Sequence, residues 1–302
     1  MKRVTSVSLE SSARDKKVDV DVAGQQVHIE RIGTDGDLRR ALQIIRSVAP
    51  NVDCIGIGGT DRYLVAGKRR YERREAAAMA RAAGSTPVAD GSGFKQFVEP
   101  AVLRQLAQSG SVHFAGKECL LVSAVDRFGM ALELPRLGAR VTYGDLVFGL
   151  GLPIPVRSPA VIEFLGFLLL PILCRVPISW LYPSGGAKEE PSTRGAEYFR
   201  RADIIAGDFH FIRGHMPDDL SGKTVITNTT TEADLQALRE RRLRMLVTTT
   251  PAIQGRSFGT NVWESVLVAV SGKRPEELME ADYMGFLDRT GWKPSVHLMN
   301  VG

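Results

Sequence analysis

Lys95 and Asp61 are the first candidates for chemistry, because each stands in a polar glycine turn after an apolar run: Gly56-x-Gly58-Gly59-Thr60-Asp61-Arg62 and Asp90-Gly91-Ser92-Gly93-Phe94-Lys95. A lysine whose pKa is lowered in a cleft, or a carboxylate beside a hydroxyl, can move a proton to and from a substrate oxygen. Arg62 and Ser92 in the same turns could hold an anion. The structural reading competes, since glycine is the default residue where φ is positive and a turn needs no ligand. A third turn, Gly255-Arg256-Ser257-Phe258-Gly259-Thr260-Asn261, precedes the apolar run Val262 to Val270. Free amides at a helix start with an arginine beside them suit phosphate or carboxylate, so Arg256, Ser257, Thr260 and Asn261 are candidate anion ligands; a capped helix after a turn explains the same residues equally well. Asp208 and His210 add a carboxylate and an imidazole for substrate or anion binding. No metal is expected, because a His-Asp site needs a third ligand that the sequence does not name. Ser8, Ser123 and Ser257 lack a nucleophile-elbow setting, so no hydrolase triad is assigned.

The elements that must position these residues alternate in type. Strand patterns at Val4 to Leu9, Val18 to Val22 and Val27 to Ile32 precede a helix carried by Leu38, Leu42, Ile45 and Val48. A buried strand at Val52 to Ile57, an alanine-rich helix from Arg73 to Ala83 and a short strand at Thr86 to Ala89 complete a first lobe, residues 1–113. The second lobe, residues 114–302 with an apolar insertion near 150–195, has strands at Cys119 to Ser123, Ala139 to Tyr143, Asp203 to Ala206, Thr224 to Thr227 and Met245 to Thr248. Strand, turn and helix in regular succession read as α/β, two lobes, the second a Rossmann-like doubly wound parallel sheet. In such sheets ligands bind at the carboxyl ends of the strands, which makes Asn228 and Thr249 candidate cofactor contacts.

The first turn of the second lobe, Ser123-Ala124-Val125-Asp126-Arg127-Phe128-Gly129, stands where a dinucleotide fold carries G-x-G-x-x-G. Only Gly129 fits, at the third glycine. Ser123, Asp126, Arg127 and Gly129 are taken as cofactor-binding. Asp145, 22 residues beyond Ser123, lies at the distance of a ribose-binding acid, although an ordinary acidic strand end accounts for it as well. A carboxylate there would favour NAD over NADP by repelling a 2′-phosphate.

Composition narrows the class. With 44% hydrophobic and 24% charged residues, collagen-like, coiled-coil and disordered chains are excluded. Three widely spaced cysteines offer neither a disulfide framework nor a zinc site, and the opening residues alternate like a strand rather than a signal peptide, so a cytoplasmic protein is expected. The net charge of +5 is spread over helices that also carry acids, which argues against nucleic acid; solvated helix faces, or attraction of a small anionic metabolite, explain it equally well. Phe164 to Cys174 is uncharged but too short to cross a hydrocarbon core of roughly 30 Å, so no transmembrane segment is expected. The stretch Phe164 to Trp180 should be buried between lobes or between subunits of a homo-oligomer, a dimer; peripheral membrane contact is the other reading.

The phrases GIGGTDRYL, TPVADGSGFK, VSAVDRFGMA, GDLVFGLGLPIP, AGDFHFIRGHMPDDL, ITNTTT and GRSFGTNV together resemble bacterial proteins carrying the name quinate 5-dehydrogenase, over nearly the whole chain. The resemblance implies two α/β lobes, the Rossmann-like one second, a Lys and an Asp in the substrate lobe and NAD or NADP as cofactor. The glycine loop of shikimate and quinate dehydrogenases is replaced here by Ser123 to Gly129, and their Lys and Asp motifs have no direct counterpart; Lys95 and Asp61 stand on position and chemistry. Two functions follow: an NAD(P)-dependent oxidoreductase of quinate/shikimate 5-dehydrogenase type acting on a small hydroxylated carboxylic acid, or a non-redox binding or sensing protein for a phosphorylated or carboxylated metabolite.

Overall fold

The computed structural model describes residues 1–67, 69–176, 195–253 and 256–299. Among them the first sheet is made by β1 (Lys2–Ser8), β2 (Lys16–Val22), β3 (Gln25–Gly33), β4 (Cys54–Gly58) and, beyond the hairpin β5 (Tyr63–Ala66) and β6 (Arg69–Glu72), β7 (Val88–Ala89). The strand order is β2-β3-β1-β4-β7, parallel except for β2 against β3. Two helices, α1 (Leu38–Val48) and α2 (Arg74–Ala82), cover one face, where Ala41, Ile45 and Met79 meet Val7, Ile55 and Ile57. The α1 start is set by Asp37, whose carboxylate accepts the Arg40 amide at 3.0 Å.

A wide turn over Phe94–Val98 runs into α3 (Glu99–Gln108) and leads to the second sheet. There follow β8 (Glu118–Leu121), α4 (Phe128–Arg136), β9 (Arg140–Tyr143), α5 (Pro159–Leu173), α6 (Ala196–Arg201), β10 (Ile204–Ala206), α7 (Phe209–His215), β11 (Thr224–Thr227), α8 (Glu232–Glu240) and β12 (Met245–Thr248). The chain continues through the two-residue pair β13 (Ala252–Ile253) and β14 (Arg256–Ser257), then α9 (Thr260–Ser271), α10 (Glu280–Thr290) and β15 (Ser295–Leu298). The order β15-β12-β11-β10-β8-β9 is parallel except for β15. Alternation along the strands sends Cys119, Leu121 and Val247 to the α4 side and Leu120, Ile205 and Leu246 to the α7 and α8 side, so the sheet is doubly wound. Its described order is the flavodoxin-like one, with the switch point between β8 and β10, instead of the six-stranded dinucleotide order.

The two sheets are joined by α9, which leaves the second sheet and lies on the open face of the first. Small residues make this possible: Ser6 and Ser8 on β1 stand in register with Gly56 and Gly58 on β4, and a Cβ at Gly56 would come 2.9 Å from Ser265 Oγ. Asn261 fixes the helix by donating to Ser6 Oγ at 2.8 Å. One continuous core therefore holds Val4 and Cys54 from the first sheet, Val262 and Val266 from α9 and Leu121 and Val247 from the second.

The apolar segment departs from one of its two expected placements, burial between the lobes. Ile162, Gly166, Leu170 and Cys174, four residues apart, form the buried stripe of α5; Leu170 and Cys174 pack with Leu64 and Ala66 of the β5–β6 hairpin, and Gly166 lies so close that a Cβ would stand 2.5 Å from Ala66 Cβ. The opposite side, with Phe164, Leu168 and Ile172, is exposed, so α5 is not buried between the sheets. Residues 177–180 of the same stretch lie outside the described residues. Among the described residues no helix is long and apolar enough to cross a membrane.

Candidate active site

The carboxyl ends of the two sheets face each other, and the turns that leave them carry the polar side chains. After β4 the chain turns at Gly59, φ +70°, and reaches Asp61; after β7 it turns at Gly91, φ +87°, and reaches Lys95. Asp90 ties these turns together: its carboxylate accepts the amides of Arg62 (2.8 Å), Tyr63 (3.0 Å) and Ser92 (3.0 Å). The turn after β8 closes from the other side, because Gly129 lets the start of α4 press against the Lys95 segment; a Cβ there would stand 2.6 Å from the Lys95 carbonyl oxygen. Gly129 thus serves helix-to-helix approach rather than a diphosphate.

Lys95 is the meeting point. Its Nζ donates to Asp61 and, at 2.5 Å, to Asp126. Behind it the fully buried Arg127 pairs with Glu99 and, at 3.1 Å, with Asp208, which also accepts Asn228 Nδ2 at 3.3 Å. Six separate turns or helices, three from the first lobe and three from the second sheet, are linked through this network. Lys95 and Asp126 open onto a cleft of about 230 Å³ whose wall includes Tyr63, Gln96, Arg104 and Arg136.

Burial alone would lower the Lys95 pKa, but the charges of Asp126 and Asp61 outweigh it and hold the ammonium well above its ordinary range. This corrects the expectation of a lowered lysine: Lys95 is a permanent cation. The titrating group is Asp61, raised well above the carboxylate range by burial and by the charge of Asp126. Burial pushes Asp126 the same way, yet Lys95 and Arg127 prevail and keep it ionised. A carboxyl with a raised pKa beside an ammonium can exchange a proton with a substrate oxygen while the ammonium stabilises charge on that oxygen.

Other expected residues are placed elsewhere. Arg62, a candidate anion ligand, is held by Glu72 at 2.8 Å and stacks over Tyr63. On the cleft wall Arg104 and Arg136 share one acid, at 3.0 Å and 3.6 Å from the buried Glu133. Ser92 lines the cleft. Asp208 caps α7 by accepting the His210 amide at 2.9 Å, and His210 itself is exposed. Ser257 is tied to the turn after β11 through Thr229 Oγ1 at 3.0 Å, and Thr249 accepts Trp292 Nε1 at 3.0 Å through its carbonyl. Thr260 and Asn261 dock into the first lobe: a Cβ at Gly91 would lie 2.5 Å from Thr260 Oγ1 and 2.6 Å from the Asn261 amide. The start of α9 is therefore covered by the Gly91 turn and is not an open anion site. Gly255 and the Arg256 side chain lie outside the described residues.

Ser123 is buried in the turn after β8, and Asp145 reaches back to that turn. Its carboxylate accepts the Ala124 amide at 2.9 and 3.0 Å and the Val125 amide at 3.0 Å. Burial nevertheless pushes it up to about 6. Sequence reasoning missed Arg104, Arg136, Glu133 and Glu99, all on α3 or α4; Glu99 carried one signal, an acid placed in an otherwise apolar helical face.

The fold and the site define an α/β protein with an acid–base cluster in a cleft where two parallel sheets meet. Residues 93–299 match the family described as Domain of unknown function (DUF8754), and the chain belongs to that family. Residues 3–90 match Domain of unknown function (DUF8753). No curated protein matches. Among solved structures the chain is similar to the Leu-bound hetero-hexameric glutamate dehydrogenase of Thermus thermophilus, at 16% identity over 96% of this chain and 73% of that one, TM-score 0.43. It is also similar to an ABC transporter solute binding protein of Burkholderia multivorans, at 12% identity over 99% of each chain, TM-score 0.39. A third is L-tryptophan dehydrogenase from Nostoc punctiforme, at 10% identity over 96% of this chain and 80% of that one, TM-score 0.39.

Proposed function

We propose that the chain binds a small hydroxylated carboxylic acid in the cleft over Lys95 and transfers a proton at one of its hydroxyl or carbonyl oxygens. The observation that carries this reading is Lys95 held between Asp61 and Asp126 at the cleft wall. Lys95 donates to the reacting oxygen, Asp126, which shares the cleft wall, anchors the ammonium, and Asp61, which contacts Lys95 and is not among the cleft-lining residues, exchanges its proton through the Lys95 ammonium. Arg104 and Arg136, two guanidiniums on one carboxylate, offer the substrate's acid group a partner at the same wall.

The resemblance to quinate and shikimate dehydrogenases supports the substrate class and adds a second reading, oxidation with NAD or NADP. The residues that would hold that cofactor are Ser123, Asp126, Arg127 and Gly129 of the turn after β8, with Asp145, Asn228 and Thr249. They do not fit it: the turn amides are bound by Asp145, Arg127 is enclosed, and Gly129 is filled by the Lys95 segment. No step is routed through a nicotinamide.

A thermal-shift panel of quinate, shikimate, open-chain hydroxy acids and sugar phosphates tests the proposal. A ligand at about one hundred times its dissociation constant adds about 2.7 kcal/mol to stability. A raised midpoint with a hydroxylated acid, lost in D61N, is expected; a response to sugar phosphates alone would instead favour a phosphate-binding sensor.

A further inference from the structure

In an open parallel sheet the ligand crevice lies at the strand carboxyl ends beside the switch point. Here that place is between β8 and β10, and its backbone amides are those of Ala124 and Val125. An anionic group of a ligand would accept these two amides. Asp145 accepts both, with one oxygen bridging the two and the other bound to Ala124. The carboxylate arrives from the first residue of the wide turn Asp145–Gly149 that follows β9, so the chain itself supplies the anion.

Two independent observations show the same place closed. Gly207, just beyond β10 at φ +136°, leaves a gap that the Val122 side chain fills, and Val122 is buried. Arg127, the cation of the turn itself, is wholly enclosed and bound to Glu99 and Asp208, so its guanidinium does not face a ligand. Room, cation and amides, the three things a diphosphate needs at a strand-to-helix turn, are each taken by the protein's own side chains.

We infer that Asp145 is a built-in occupant of the fold's phosphate cradle, and that this protein holds no dinucleotide diphosphate there. Whatever the Lys95 cleft does, it does not draw on a dinucleotide diphosphate seated at that turn. This inference stands on the turn after β8 and not on the cleft, so either can fail without the other.

The test uses the purified full chain, NADH, NADPH and inorganic pyrophosphate as probes, and the variants D145N and D145A. Nicotinamide fluorescence should show no binding of NADH or NADPH to the wild type at millimolar concentration. Pyrophosphate should leave the wild-type melting midpoint unmoved and raise that of D145A, whose cradle is vacated; circular dichroism establishes that the variant is folded. D145N, which keeps the shape but carries no charge, should respond to pyrophosphate less than D145A. Binding of either dinucleotide by the wild type overturns the inference whatever the variants do, and binding weakened about tenfold or more in D145A would make Asp145 a ribose ligand. A folded D145A that gains no response to pyrophosphate overturns the cradle.

Discussion

Glu264 on α9 is a carboxyl enclosed in the joint between the two sheets, and replacing it by Gln should change how stability depends on pH. The side chain accepts the amides of Gly91 at 2.6 Å and Gly93 at 2.9 Å and the Tyr283 hydroxyl at 2.7 Å, with 3% of the residue exposed. Burial, reinforced by the charge of Asp90, pushes the carboxyl from an ordinary 4.5 up to about 7. A carboxyl with a raised folded-state pKa binds more proton folded than unfolded, so stability is greatest below the unfolded value and is lost as pH rises to the folded one. Across that window, at about 1.4 kcal/mol per pH unit, Glu264 removes roughly 3 kcal/mol. E264Q cannot ionise, and its single acceptor oxygen serves only one of the two glycine amides, a loss that is the same at every pH and so leaves the difference in pH dependence intact. Urea unfolding of both proteins, followed by the fluorescence of Trp263 and Trp292, should show the variant gaining on the wild type by roughly 3 kcal/mol between about pH 5 and about pH 8. Asp61 and Asp145 tilt both profiles alike, so the difference isolates Glu264. Parallel profiles would refute the reasoning.

Lys95→Met leaves Asp61 and Asp126 together without their cation, and breaking a buried pair costs about 3–5 kcal/mol. The loss should shrink in acid, where the carboxyls take up protons; melting curves that show the same deficit at about pH 4.5 and about pH 7.5 would contradict the pairing. Gly91→Ala combines a positive φ with a Cβ 2.6 Å from the Asn261 amide and should cost about 1–3 kcal/mol in denaturant, more than Gly84→Ala, where φ is also positive but nothing lies within 4 Å. Phe164→Ser, on a residue 62% exposed, should change stability by no more than about 0.5 kcal/mol and reduce the binding of a hydrophobic dye. A loss of several kcal/mol there would mean that a second copy covers the α5 face.

Much of the fold is legible because its strands are short apolar runs that end in glycine or polar clusters: Cys54–Gly58, Thr224–Thr227 and Met245–Thr248 are all wholly buried. The hairpin Tyr63–Glu72 is not, since its half-exposed residues mix arginines with apolar positions in no clean alternation. Nor is Ser295–Leu298, an edge strand whose side chains are mostly exposed. The apolar period of Thr260–Ser271 announces a buried helix but not which sheet it serves; the signal lay in the small residues at Ser6, Ser8, Gly56 and Gly58, whose meaning depends on register. Lys95 and Asp61 could be found because each follows a strand end, where open sheets place their ligands. The role of Asp145 could not, because a carboxylate reaching amides 20 and 21 residues back is set by tertiary geometry.

The site itself is tested most directly by titration calorimetry of the hydroxylated acid selected by the thermal screen against the wild type, K95M and D61N. Binding to the wild type should release or take up a proton, seen as an enthalpy that changes with the ionisation heat of the buffer, and affinity should fall about tenfold or more, about 1.4 kcal/mol, in each variant. Affinity unchanged in both folded variants, or an enthalpy indifferent to buffer, would contradict the assignment of Lys95, Asp61 and Asp126 as the proton-transfer centre.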